Sequence, residues 1–372
     1  MSSSGLILTR RFLILFPEVI SHPKRDQVSL TKWSHISHNR SSTDYSLQTS
    51  ETTIFTSNAT CALVPETIVG PYFVTGEFIR SNVSENQPGI RTHLDIQFVD
   101  VHTCKPLPNM IIDLWHANST GFYSGVLDSG GLNTTFHRGV QVSDADGVVQ
   151  FSTTFPGHYF GRATHIHVVS QVNGVILPNG TYTGGKAQHI GQLYFDDSLA
   201  QAVEKHWPYT TNTMPWTTST RDFLTQDEST DKYDPYVDYV QLSHDLSDGL
   251  MTWITIAVDT KADYSANLQA ASHYYREGGV AVPFNCSAFP PMGFPPFNGT
   301  FPPFNGTGFG FPPFNGTGLP PFNITGFPPF NGTGFPFPFP FPFPLNGTFP
   351  GCNTTSSATT TTTKAPAASH TH

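Results

Sequence analysis

The run Thr164 to Val169, THIHVV, restricts the fold more than any other stretch of this 372-residue chain. Thr164, Ile166, Val168 and Val169 branch at Cβ, which limits their rotamers in a helix and suits a pleated surface, so the run predicts a strand. Side chains alternate faces along a strand, so His165 and His167 point the same way with Cα atoms about 6.6 to 7 Å apart. One cation could reach both. A single strand needs partners, and the chain offers them at short spacing. Leu94, Ile96, Phe98 and Val101 alternate imperfectly with polar residues, MIIDLW follows a turn at residues 106–109, and SDADG from Ser143 to Gly147 separates GVQV from VVQFSTTF. HIHVVSQV, GQLYF and WITIAVD come later. This rhythm predicts an all-β fold, a β-sandwich of mainly antiparallel strands with long loops. Only SLAQAVEKHW reads as a helix, with Ser198 as its N-cap. The polar segment from Tyr209 to Gly249 is expected to form loops over one end of the sandwich, with TRDFLTQDESTDKYDPY as a structured loop rather than a second site.

A His-x-His pair in a strand is often a satisfied surface or core pair, and zinc and cupin-type sites compete with other metal centres. The neighbours bear on the choice. Zinc sites favour Cys, His and carboxylate ligands, and the non-haem ferrous triad needs a carboxylate beside two His. No acidic residue or Cys lies between Phe151 and Asp196. Phenols lie there instead: Tyr159, in FPGHYFGRATHIH, and Tyr123, in DLWHANSTGFYSG.

At these residues the chain resembles the intradiol ring-cleavage dioxygenases, most closely their extracellular fungal-type branch. The resemblance is carried by PETIVGPYFVTGEFIRS (Pro65 to Ser81), DVHTCKPLPNMIIDLWHANSTGFYSGV (Asp100 to Val126), GVQVSDADGVVQFSTTFPGHYFGRATHIHVV (Gly139 to Val169) and GQLYFDD (Gly191 to Asp197), roughly half the chain in the family's order. It implies one ferric iron, Fe(III), per chain, held by Tyr123, Tyr159, His165 and His167. It also implies Arg162 facing the substrate and Gln192 as a second active-site polar group. The implied reaction inserts O2 between the two hydroxylated carbons of a catechol or other ortho-diphenol, giving a muconate-type diacid without another cofactor. Tyr159 is the implied ligand that leaves when substrate binds and accepts its proton. Only two residues separate Tyr159 from Arg162, where the bacterial enzymes carry a longer loop, which is the spacing of the fungal-type branch.

Charge and composition bound the partners. Charged residues make up 12% and the formal net charge is −9, which argues against nucleic acid. No apolar run of about 20 residues occurs, so no membrane span is expected. Residues 1–28 half resemble a secretory signal, with Arg10 and Arg11 before FLILF but Pro17 and Glu18 interrupting it. Residues 29–60 are polar and Ser/Thr-rich and are expected to be flexible or propeptide-like. The intradiol-type domain is expected over 61–283. Sequons at Asn39, Asn58, Asn82, Asn118, Asn133, Asn179 and Asn285, and more beyond, point to a secreted glycoprotein. Four cysteines, Cys61, Cys104, Cys286 and Cys352, allow three pairings, of which Cys61 with Cys104 is favoured; buried free thiols are the alternative.

From residue 284 to 372 the composition changes. FPPFNGT recurs, a Phe-Pro alternation follows, and no charged residue occurs between Ala288 and Thr363. Alternating Pro removes ladder donors and favours an extended chain, so a disordered, glycosylated tail is expected, with cell-wall association as its role. Two other functional classes stay open on the sequence: a non-catalytic secreted binding module on the same sandwich, and a structural cell-wall glycoprotein.

Overall fold

The computed structural model describes residues 27–56 and 61–283. The expected tail, Cys286, Cys352 and all but the end of the expected leader lie outside the described residues. The fold is that of a unit ending at Val280; a second unit, Ala281–His372, falls almost wholly among the undescribed residues.

Eight strands make two four-stranded sheets: β1 (Arg91–Asp100), β2 (Ile111–Trp115), β3 (Arg138–Val142), β4 (Val148–Thr154), β5 (His165–Val172), β6 (Lys186–Tyr194), β7 (Asp238–Gln241) and β8 (Leu250–Val258). One sheet runs β7-β8-β1-β4 and the other β3-β2-β5-β6. Every pairing is antiparallel except that of β8 with β1, which run side by side in parallel. The expected sandwich is therefore present, with one parallel pair inside it. Leu94, Ile96 and Phe98 of β1, Val149 and Phe151 of β4 and Ile254, Ile256 and Val258 of β8 meet Ile112, Leu114, Ile166, Val168 and Leu193 of the second sheet in one apolar core. Cys61 and Cys104 are bridged, a closure over 43 residues that would contribute about 4 kcal/mol in the chain-entropy picture.

β5 is buried on both faces. Ile166 and Val168 enter the sandwich core, while Val169 joins a second apolar cluster with Val69, Tyr72, Phe73, Trp115, Tyr123 and Tyr159. The second sheet thus has loops packed on its outer side, and the functional side chains are found there.

Among the described residues there are four α-helices, α1 (Gln27–Ser34), α2 (Glu51–Thr56), α3 (Asp197–Val203) and α4 (Phe223–Glu228). The expected helix after the GQLYF strand exists, but it starts at Asp197 and its cap position is Asp196, not Ser198. Asp196 makes no capping bond because its carboxylate is engaged by His38, through the backbone N–H at 3.0 Å and Nδ1 at 2.5 Å. The segment from Gln27 to Thr56 also departs from the expected flexible stretch. Leu30 packs against Ala163, Tyr194 and Tyr236, Ile54 and Phe55 pack against Trp253, and Trp33 Nε1 donates to Thr230 O at 2.7 Å. A few well-placed apolar residues suffice to dock a segment whose average composition is polar, which is why composition misread it.

His38 sits between Asp196 and Asp234, 2.9 Å from the latter, and is buried. Burial alone would lower its pKa, but the hydrogen bonds to the two carboxylates outweigh it and raise the value to about 9. A histidine raised above its unfolded value stabilises fully below about pH 6.5, and that stabilisation is lost as the pH rises through about 9. His38→Gln is therefore expected to cost more at pH 6 than at pH 9.5, by up to about 3 kcal/mol. Equal costs in urea titrations at the two pH values would show that the ring is not charged in the folded protein.

Candidate metal centre and active site

The register of the second sheet builds the site. Residues directly opposed across a sheet share a face. Trp115 opposes both Arg138 and His167, and His167 opposes Gln192, so these four lie in one row on the outer face. His165 opposes Tyr194 in the next row. The face opposite the sandwich core therefore carries His165, His167, Gln192 and Tyr194 side by side, with Trp115 stacked on the His167 ring at 4.8 Å and 6°.

The two tyrosines come from loops laid over this face. Tyr123 follows β2 and Tyr159 precedes β5, and both are buried. Their loops are pressed together at Gly157, which donates to Asn118 O at 3.2 Å; a Cβ there would collide with the Asn118 and Ser119 backbone. Gly121, at φ +88°, likewise abuts the His158 carbonyl. Tyr72 stacks on Tyr123 with ring centres 4.2 Å apart and meets Tyr159 edge-on.

The structure brings all six sequence-predicted residues together. His165 Nε2 lies 3.3 Å from Tyr123 Oη, 3.3 Å from Tyr159 Oη and 3.1 Å from His167 Nε2. His165 Nδ1 is 2.6 Å from Ala163 O, which can only accept, so Nδ1 carries the proton and Nε2 presents its lone pair. Burial first, and the Arg162 charge second, push both imidazoles well below their ordinary pKa, so they are neutral at pH 7. Burial also pushes the Tyr123 phenol well up, with the neighbouring Tyr159 adding to it. Tyr159 is raised by burial too, and the Arg162 charge opposes the rise at both phenols. Two imidazole lone pairs and two phenol oxygens on one buried point suit a hard, highly charged cation that can hold phenolates ionised. Among the described residues no group of three or more His, Cys, Asp or Glu is disposed to bind a metal, which follows from half of this donor set being phenol.

Arg162 and Gln192 flank the four donors. Arg162 Nη1 donates to Tyr159 Oη at 3.2 Å, and Nη2 donates to Gln192 Oε1 and, at 3.3 Å, to Tyr194 Oη. Gln192 Nε2 is buried without a partner. No acidic residue lies between Phe151 and Asp196 in sequence, but Asp222, 60 residues after Arg162, accepts from its Nε at 3.0 and 3.1 Å. Helix α4 delivers this carboxylate from its N-cap, where Asp222 also accepts from Leu224 N at 2.9 Å. The other end of α4 carries Glu228, which accepts from Gln192 N at 2.6 Å and from Thr67 Oγ1 at 2.8 Å. The TRDFLTQDE segment is thus part of the site's backing rather than a loop apart from it. Its Asp before an apolar pair was a readable helix-start signal, but nothing local says which residue the Asp faces. Tyr72, Trp115 and Tyr194 were likewise unassigned by the sequence reading.

A family model described as Dioxygenase matches residues 68–175, which include both tyrosines, both histidines and Arg162. Catechol 1,2-dioxygenase 1 of Acinetobacter lwoffii is 34% identical over 102 residues, covering 26% of this chain and 32% of that protein. Catechol 1,2-dioxygenase of Acinetobacter baylyi is 31% identical over 100 residues, with the same coverage of 26% and 32%. The chain thus spans about a third of the length of the curated relatives it matches. Among solved structures, an intradiol ring-cleavage dioxygenase from Tetranychus urticae is 30% identical, with a TM-score of 0.47 over 55% of this chain and 97% of that one.

Burial raises the Glu228 carboxyl well above its ordinary value, more than its hydrogen bonds from Thr67 and Gln192 lower it, which favours its neutral form. Glu228→Gln, which keeps the accepting oxygen, should cost within about 1 kcal/mol of stability, whereas Glu228→Ala should cost about 2 to 4 kcal/mol by stranding the Gln192 amide and leaving a void. Urea midpoints of the two variants check this. A Gln variant as damaged as the Ala variant would mean that the carboxylate is ionised.

Proposed function

The chain belongs to the intradiol ring-cleavage dioxygenase family, and from that premise we propose that it cleaves catechol-type rings between the two hydroxylated carbons, with O2, to muconate-type diacids. The observation that carries this reading is the convergence of Tyr123, Tyr159, His165 and His167 on one buried point beside Arg162. These four would hold one ferric iron, whose chemistry when bound is to draw electron density from a coordinated ortho-diphenol and so open the ring to dioxygen.

The chain's own residues divide the remaining work. Held ionised by a bound ferric ion, both phenols would be candidate bases, and an ortho-diphenol must lose protons to bind as an anion. Tyr159 is the better placed acceptor. Its oxygen is the one hydrogen-bonded to Arg162, whose fixed charge would stabilise a phenolate there and an electron-rich ring bound beside it. Tyr123 is held by the Tyr72 stack and by its packed loop, and stays in place. Tyr72, Tyr123 and Tyr159 together wall the site from water, which strengthens the charge interactions inside it.

The purified protein should contain about one iron per chain and be coloured by a tyrosinate-to-iron charge-transfer band; stoichiometric zinc with no visible band would overturn the reading. Tyr159→Phe should keep its iron but lose at least about 10²-fold in kcat/KM for catechol, in the range of a lost general base. His165→Ala or His167→Ala should lose the iron. A Tyr159→Phe protein within about threefold of the parent would remove Tyr159 from this role.

We further read the protein as secreted, glycosylated and of the extracellular fungal-type branch, on the density of sequons, the Cys61–Cys104 bridge and the short Tyr159 to Arg162 spacing. Asn39, Asn82, Asn133 and Asn179 are exposed. Asn118 is half-buried, and its side-chain oxygen accepts from Thr120 N, Thr120 Oγ1 and Phe122 N within the loop that carries Tyr123. Peptide mapping of the secreted protein should find glycan at exposed sequons and none at Asn118. An occupied Asn118, or secreted protein without any glycan, would contradict this.

A further inference from the structure

A guanidinium at the end of a long side chain directs charge only if something fixes its orientation. Arg162 is fixed from behind. Both oxygens of Asp222 lie on its Nε, so the terminal nitrogens are left to face Tyr159, Gln192 and Tyr194. Asp222 is itself immobilised, because the same carboxylate accepts from Ala163 N at 2.8 Å and Leu224 N at 2.9 Å and is fully buried at the start of α4. The Phe223 ring packs 5.8 Å from the Arg162 Cζ. Behind this unit lies the N-terminal segment: Leu30 of α1 touches Ala163 and Tyr194, and Trp33 bonds Thr230 just past the end of α4.

We propose that Asp222 is a positioning residue, which aims Arg162 at Tyr159 and at the electron-rich ring during turnover; this rests on the ring-cleavage reading of the site. The hydrogen bonds of Asp222 go to Arg162, Ala163 N and Leu224 N and none to the four convergent donors, so its hold on the geometry of the site passes through Arg162. Losing the carboxylate frees the guanidinium to rotate away from Tyr159, and misplacement of a catalytic group by about 1 Å can cost on the order of 10²-fold.

The test uses the full chain with Asp222→Asn, Arg162→Gln and the double variant. Asp222→Asn should retain iron, shift the tyrosinate band in the same direction as Arg162→Gln, and lower kcat for catechol about tenfold to a hundredfold. Adding Asp222→Asn to Arg162→Gln should change kcat by less than about twofold, because two residues acting as one unit are not additive. Asp222→Glu should recover part of the loss. An Asp222→Asn protein with parental kcat and band, additive effects in the double variant, or loss of iron from Asp222→Asn would each overturn the assignment. A parent with no tyrosinate band and no ring cleavage would defeat the reading of the site instead. The coupling of Asp222 to Arg162 is then read from melting temperatures of the metal-free variants, where additivity would overturn it.

Discussion

The pairing of β5 between β2 and β6 is the constraint on which the rest depends. Ile166 and Val168 on one side of β5 fill the sandwich core, and that places His165 and His167 on the other side, opposite Tyr194 and Gln192. A slip of one residue would turn every side chain over, sending two imidazoles into an apolar core and two aliphatic residues under the tyrosine loops. The hydrophobic effect that holds the sandwich together and the geometry of the candidate metal centre are thus the same register, enforced from both faces.

A site built on the outer face of a sheet must make its own interior. Here that interior is aromatic: Tyr72, Phe73, Trp115, Tyr123 and Tyr159 form a second apolar cluster above the sheet. Its polar groups carry the desolvation that follows. The imidazoles are driven neutral, and the phenols are made hard to ionise without a positive charge beside them. Arg162 could not be buried in this cluster alone, since an unpaired buried cation is costly. Asp222 supplies the counter-charge, and Tyr159, Gln192 and Tyr194 satisfy the rest of the guanidinium.

The backing of that ion pair reaches far along the chain. Helix α4 sets Asp222 and Glu228 against Arg162 and Gln192, and α1 lies against the residues between them. His38, between Asp196 and Asp234, ties the segment after α1 to the end of β6. Three stretches, residues 27–38, 192–196 and 222–234, therefore meet behind one guanidinium.

Much of this was written locally. The alternation in THIHVV and the turn residues between short β-runs pointed to a β fold with His165 and His167 on one face of a strand, and the resemblance to the intradiol enzymes added Tyr123, Tyr159 and Arg162 to that pair. Those signals depend on near neighbours and on a period of two, which sequence displays directly. The partner of Arg162 was not legible, because an ion pair across 60 residues depends on how loops fold back over a sheet. Neither the ordered packing of residues 27–56 nor the role of α4 followed from their polar composition, since docking needs only a few apolar contacts such as Leu30 and Phe55. The chain alone determined a β fold and the strand face that carries His165 and His167; tertiary structure decided what gathers around them and holds them in place, because burial and long-range charge pairing exist only once distant segments are packed together.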